Sequence, residues 1–110
     1  MDTDYFFYMK PLKPGPYALD DIGDTPAPLG SGDELKARVA QVLPALAWTE
    51  SPHAPGTWFG SGDGEFQFTV EPDGQVLSFM GSRLERRQVW RLVRELDLIA
   101  LDVQHDVVFG

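Results

Sequence analysis

Two carboxylates and an imidazole fall within five residues at Asp102, His105 and Asp106. An imidazole beside a carboxylate can serve as a general acid or base, and the same donors can hold a divalent metal. A metal centre needs three or four ligands that converge in space. The only other histidine, His53, sits between Pro52 and Pro55, far along the chain. A small metal-dependent or acid/base enzyme using Asp102, His105 and Asp106 is therefore one function class to test. The commoner meaning of this spacing near a strand end is a solvated turn.

Gly60-Ser61-Gly62-Asp63-Gly64 has the composition of a phosphate cradle. A P-loop, however, closes on a lysine and a Ser/Thr that open a helix, and a nucleophile elbow needs serine as the middle residue of five. Neither condition holds, so the segment reads as a flexible connection between strands. Asp20, Asp21 and Asp24 lack the alternating oxygen ligands, the central glycine and the closing glutamate of a calcium loop. They read as an acidic surface loop. No cofactor fingerprint is present, and the catalytic inventory is thin: two histidines and no cysteine.

Charge is more informative. The formal net charge is −8, which argues against nucleic acid as a partner, because phosphate binding needs a basic footprint. Yet five of the nine cations fall in residues 83–94. With Glu85 that window carries +4, so the rest of the chain carries −12. Arg83, Arg87, Arg91 and Arg94 recur at helical spacing and form one exposed stripe. Such a stripe is ordinarily a solvated helix face paired with carboxylates such as Glu95 and Asp97. It could also contact an anion or an acidic partner. Trp58 and Phe59, bracketed by Gly56 and Gly60, are candidate interface anchors, since large aromatics outside a core tend to dominate binding energy.

The chain must also supply elements to hold these residues. At 110 residues it is long enough for one core without a metal or disulfide staple. Its N-terminus is acidic and its longest early apolar run is short, unlike a secretory signal, and no segment approaches the length that spans a membrane. A cytoplasmic location is the expectation. Tyr5 to Met9 predicts a first strand over residues 4–10 that is apolar on both faces. Five prolines and three glycines make 11–30 a loop. Ser31 to Glu34 is a capping box, followed by a helix that Pro44 ends near Leu43. Thr57–Gly60 is a possible short strand. Glu65 to Glu71 alternates apolar and polar, and Pro72-Asp73-Gly74 returns it as a hairpin through Met80. Ser82 to Glu85 reads as a second capping box before a helix with Val89, Trp90, Val93 and Leu96 on one stripe. Ile99 to Val103 is a last strand, which Val107 to Phe109 extend or pair with. The expected architecture is a single α+β domain of order β-α-(β)-β-β-α-β. It has an antiparallel or mixed sheet of four to five strands, with both helices on one face.

A hairpin ending in Phe79-Met80, a helix with Leu92-Val93-x-x-Leu96, and then Ala100-Leu101-Asp102-Val103-Gln104 is similar to small stand-alone bacterial α+β proteins. Some of these resemble immunity proteins of toxin systems. The likeness covers residues 60–106 and departs in the proline-rich loop. It implies a non-enzymatic protein that binds another protein. The leading expectation is therefore a non-catalytic module for a basic protein partner, contacted through Asp20, Asp21, Asp24, Trp58 and Phe59. A homo-oligomeric structural protein paired through the first or last strand is the other alternative.

Overall fold

A run of aromatics is stable as a strand only where neighbours cover it on both sides of the pleat, and Tyr5–Met9 occupies such a place. The computed structural model describes residues 4–23 and 26–110. Along the chain the elements are β1 (Tyr5–Met9), β2 (Gly30–Ser31), α1 (Gly32–Val42), β3 (Ala47–Glu50), β4 (Thr57–Gly62), β5 (Gly64–Thr69), β6 (Gln75–Val76), β7 (Phe79–Ser82), α2 (Arg86–Glu95), β8 (Leu98–Asp102) and β9 (Val107–Phe109). One seven-stranded sheet runs β3-β4-β5-β7-β1-β8-β9, and β2 pairs with β6 in a second sheet of two. Every pairing between these strands is antiparallel.

The α+β class and the two helices are as the sequence implies, but the sheet is larger than four to five strands. The extra strands come from Trp48 and its neighbours, from the Val107–Phe109 hairpin arm, and from a break in the returning hairpin strand. That strand leaves the turn with the Gly74 N–H donating to the Glu71 carbonyl at 2.8 Å. Gln75–Val76 then pairs with Gly30–Ser31, and only after Leu77 and Ser78 does the chain rejoin β5 as β7.

The start of each helix follows from cap chemistry. Ser31 Oγ accepts from the Glu34 N–H at 3.2 Å, and Glu34 Oε1 accepts from the Ser31 N–H at 3.3 Å, the reciprocal arrangement that satisfies two orphan donors. The second helix begins three residues later than Ser82 would have it. Its N-cap is Glu85, whose N–H donates to Gln88 Oε1 at 2.8 Å. The cause lies just upstream: Arg83 adopts φ 55°, and Leu84 plugs into space left by glycines. A Cβ on Gly81 would sit 2.8 Å from the Leu84 side chain. Arg83 therefore lies outside α2, and the expected four-arginine helical stripe shrinks to Arg87, Arg91 and Arg94.

Strand register sends Tyr5, Phe7, Phe66, Phe68, Phe79, Leu98, Ala100 and Phe109 to one face of the sheet. There they meet Leu35, Val39 and Val42 of α1 and Val89, Leu92 and Val93 of α2 in one contiguous core. Phe7 stacks on Phe79 with centroids 4.6 Å apart. Arg38 ties the layers together. Its guanidinium donates to the Leu29 carbonyl at 3.3 Å and to the Leu96 carbonyl, at the end of α2, at 2.5 Å. No helix among the described residues is long and apolar enough to cross a membrane.

Candidate functional site

Neither α1 nor α2 covers the other face of the sheet. Because directly paired residues in antiparallel strands share a face, the register lines up one row across all seven strands: Thr49, Phe59, Gln67, Met80, Phe6, Leu101 and Val108. Five of these seven side chains are apolar. Phe59 is 45% exposed, and Phe6, Met80, Leu101 and Val108 are half-buried. Between Phe6, Leu77 and Met80 the face sinks into a hollow of about 240 Å³, whose rim includes Gln67, Thr69 and Glu71.

The proline-rich segment crosses one side of this face as a strap. Leu19, Asp20 and Ile22 lie over Tyr8 and Leu101, and Tyr17 and the buried Ile99 both approach the backbone at Gly110. Burial under the strap pushes the Tyr8 phenol above its ordinary pKa. The strap is held by its own polar contacts. The Tyr17 hydroxyl donates to the Lys13 carbonyl at 2.8 Å, the Lys13 ammonium pairs with the Asp21 carboxylate, and Asp21 also accepts from the Ala18 N–H at 2.7 Å. The Lys13 hydrogen bond, and after it the Ala18 N–H, holds the Asp21 carboxyl below the usual carboxylate range.

This has a pH consequence. A carboxyl with a depressed folded-state pKa contributes stability above its unfolded pKa, about 3.9, and loses it as pH falls through the lower folded value. On acid titration followed by NMR, the Ala18 amide and Tyr17 ring signals should move below about pH 4, and Lys13→Ala should shift that midpoint upward. An Asp21 midpoint that ignores the Lys13→Ala change would disprove the assignment.

The sequence-derived candidates divide between the faces. Asp20 and Asp21 sit on a 3-10 turn of the strap, Leu19–Asp21, whereas Asp24 lies outside the described residues. Trp58 and Phe59 are adjacent but point oppositely. Trp58 turns toward the helices and is half-buried beneath the Lys36 ammonium, 3.1 Å from its ring centroid, while Phe59 stands on the open face. On α2, Arg87 pairs with Glu85 at 2.8 Å and Arg91 with Glu95 at 3.0 Å, and Arg94 Nε reaches the Trp90 carbonyl at 3.4 Å. Arg83 lies 3.8 Å from Glu65. Arg83, Arg87 and Arg91 thus engage neighbouring carboxylates, as an ordinary solvated helix face does.

Asp102 and His105 are brought together. The Asp102 carboxylate is buried; Oδ1 accepts from the Gln104 and His105 N–H groups at 3.1 and 3.2 Å, and Oδ2 lies 2.9 Å from His105 Nδ1. These bonds close the β8–β9 turn, where Asp106 takes φ 52°. No group of three or more His, Cys, Asp or Glu placed to hold a metal occurs among the described residues. The glycine segment is explained by a close approach: Gly62, at φ 155°, leaves a Cβ position only 2.5 Å from the Ala45 carbonyl oxygen.

The residues that sequence reasoning missed are Phe6, Gln67, Met80 and Leu101. A signal existed for one of them. Tyr5 to Met9 is apolar at both parities, so half of that strand had to face away from the helices. No protein-family model matches the chain, and no curated protein or solved structure matches it.

Proposed function

We propose that this chain is a cytoplasmic, non-catalytic protein-binding module of immunity-protein type that takes a basic protein partner. The observation that supports this reading is Phe59, an exposed aromatic at one end of a largely apolar row on the sheet face that α1 and α2 leave uncovered. Apolar side chains grouped on one face mark an interaction site more often than scattered single residues do, and an exposed aromatic anchor carries much of the energy of such contacts. The acidic strap beside the row would speed encounter with a cationic partner and reject anionic ones. Asp20 is exposed for this purpose, while Asp21 is engaged with Lys13.

The test is a pull-down of tagged protein from its native cell lysate at low and moderate salt, read by mass spectrometry. One stoichiometric basic partner, weakened by salt, is the expected result. Phe59→Ala should cost on the order of tenfold or more in affinity for it if this ring is an anchor. Joint substitution of Asp20, Asp21 and Asp24 by asparagine should slow association and flatten its salt dependence. The absence of any partner at both salt concentrations would sink the reading.

A further inference from the structure

Cations concentrate on the helices. The helices α1 and α2 hold six of the nine cations against three carboxylates; the rest of the described residues hold three cations against twelve carboxylates. Those three cations face carboxylates already: Lys10 lies 3.5 Å from Asp97, Lys13 pairs with Asp21, and Arg83 lies 3.8 Å from Glu65. Two carboxylates border the apolar row directly. Glu71 rims the hollow at Phe6, Leu77 and Met80, and Asp20 rims the neighbouring one at Tyr8 and Leu101. Both are exposed.

Building on the protein-binding reading above, we propose that the open sheet face docks a basic polypeptide segment. An aliphatic or aromatic side chain of that segment fills the hollow between Phe6, Leu77 and Met80, and its lysines or arginines lie against Glu71 and Asp20. The hollow supplies the burial and the carboxylates fix the sign of the partner. An acidic polypeptide or a nucleic acid would meet the like charges of Glu71 and Asp20 on this face, while six of the nine cations stand on the helices.

The probe is a short synthetic peptide alternating lysine and leucine, titrated into the full isotope-labelled chain at low salt and followed by amide NMR. Saturable shifts should concentrate at Phe6, Gln67, Leu77, Met80 and Leu101. A peptide alternating glutamate and leucine should leave them unmoved, and one alternating lysine and serine should bind far more weakly. Gln67→Lys, which places a like charge in the middle of the row, should weaken the lysine–leucine peptide by about fivefold or more, with the thermal midpoint of the variant measured alongside. Phe59→Ser gives a second variant on an exposed position and should weaken the same peptide. Shifts confined to α1 or α2, or none at all, would overturn the proposal. So would a cellular partner that binds Gln67→Lys as tightly as the parent chain; in that case the module reading stands and only its docking face is wrong. A positive peptide titration alongside a failed lysate capture supports the docking face and removes the dedicated partner.

Discussion

Phe7→Ala should cost about 3–5 kcal/mol of unfolding free energy, the range for an aromatic removed from a packed core. Phe7 is fully buried, stacks on Phe79 at 4.6 Å and lies 6.5 Å from the Tyr5 ring, on a strand with neighbours on both sides. Neither the helices nor the flanking strands can collapse far into the void without breaking ladder hydrogen bonds. For a domain of this size such a loss lowers the thermal midpoint by roughly 15–25 °C. The control is one residue away. Phe6 faces the open side and is half-buried, so Phe6→Ala should cost about 1–2 kcal/mol, in proportion to the smaller area it removes from water. Equilibrium urea unfolding of both variants measures the difference. Equal costs would mean that the two faces of β1 are not as different as the register requires.

The second large effect belongs to Arg38. Its guanidinium is the donor for two main-chain carbonyls, Leu29 where the strap ends and Leu96 where α2 ends. Charge-assisted hydrogen bonds are worth about 1.5–3 kcal/mol each, and a carbonyl left without its donor adds a desolvation cost. Discounted for partial exposure and for water that replaces the lost donor, Arg38→Ala should destabilise by about 2–4 kcal/mol. Arg38→Lys should recover less than half of this, because an ammonium cannot present two donors in a fixed fork. Hydrogen exchange provides the site-specific readout: the Leu29 amide, which donates to the Val76 carbonyl at 2.7 Å, should lose protection in both variants. Full rescue by lysine would show that charge alone, and not the fork, joins the strap to α2.

What could be read from the sequence was what local chemistry decides. The Ser31–Glu34 cap, the end of α1 ahead of Pro44 and the alternation of Phe66 and Phe68 with polar neighbours each depend on residues a few positions apart, and all three appear in the structure. The errors lie where distant residues decide. Ser82 and Glu85 satisfy the capping pattern as well as Glu85 and Gln88 do; the choice is made by Leu84 against Gly64 and Gly81, a contact that adjacent residues do not announce. Gln75–Val76 looks like one strand with Phe79–Met80, and only Gly30–Ser31 pulls it away. Trp48 enters a strand because Gly60 of β4 lies opposite it.

The candidate surface was legible in fragments. Phe59 and Asp20 could be singled out from their own neighbourhoods. Met80, Phe6 and Leu101, in contrast, come from three separate parts of the chain and become one row only through register. Arg38 gave no signal, since an arginine on an amphipathic helix usually faces solvent.

The central place of β1 has a consequence during synthesis. Its partners are Phe79–Ser82 and Leu98–Asp102, so the aromatic segment leaves the ribosome long before either exists. At ~5–20 residues per second, the intervening stretch of about 70 residues takes several seconds to make. Throughout that time Tyr5, Phe6, Phe7 and Tyr8 have no ladder to join, and an unpaired aromatic strand is the kind of segment that seeks another chain. The nascent polypeptide is thus vulnerable at β1 until β7 and β8 are made, and a chaperone acting on this protein would find its binding sequence there.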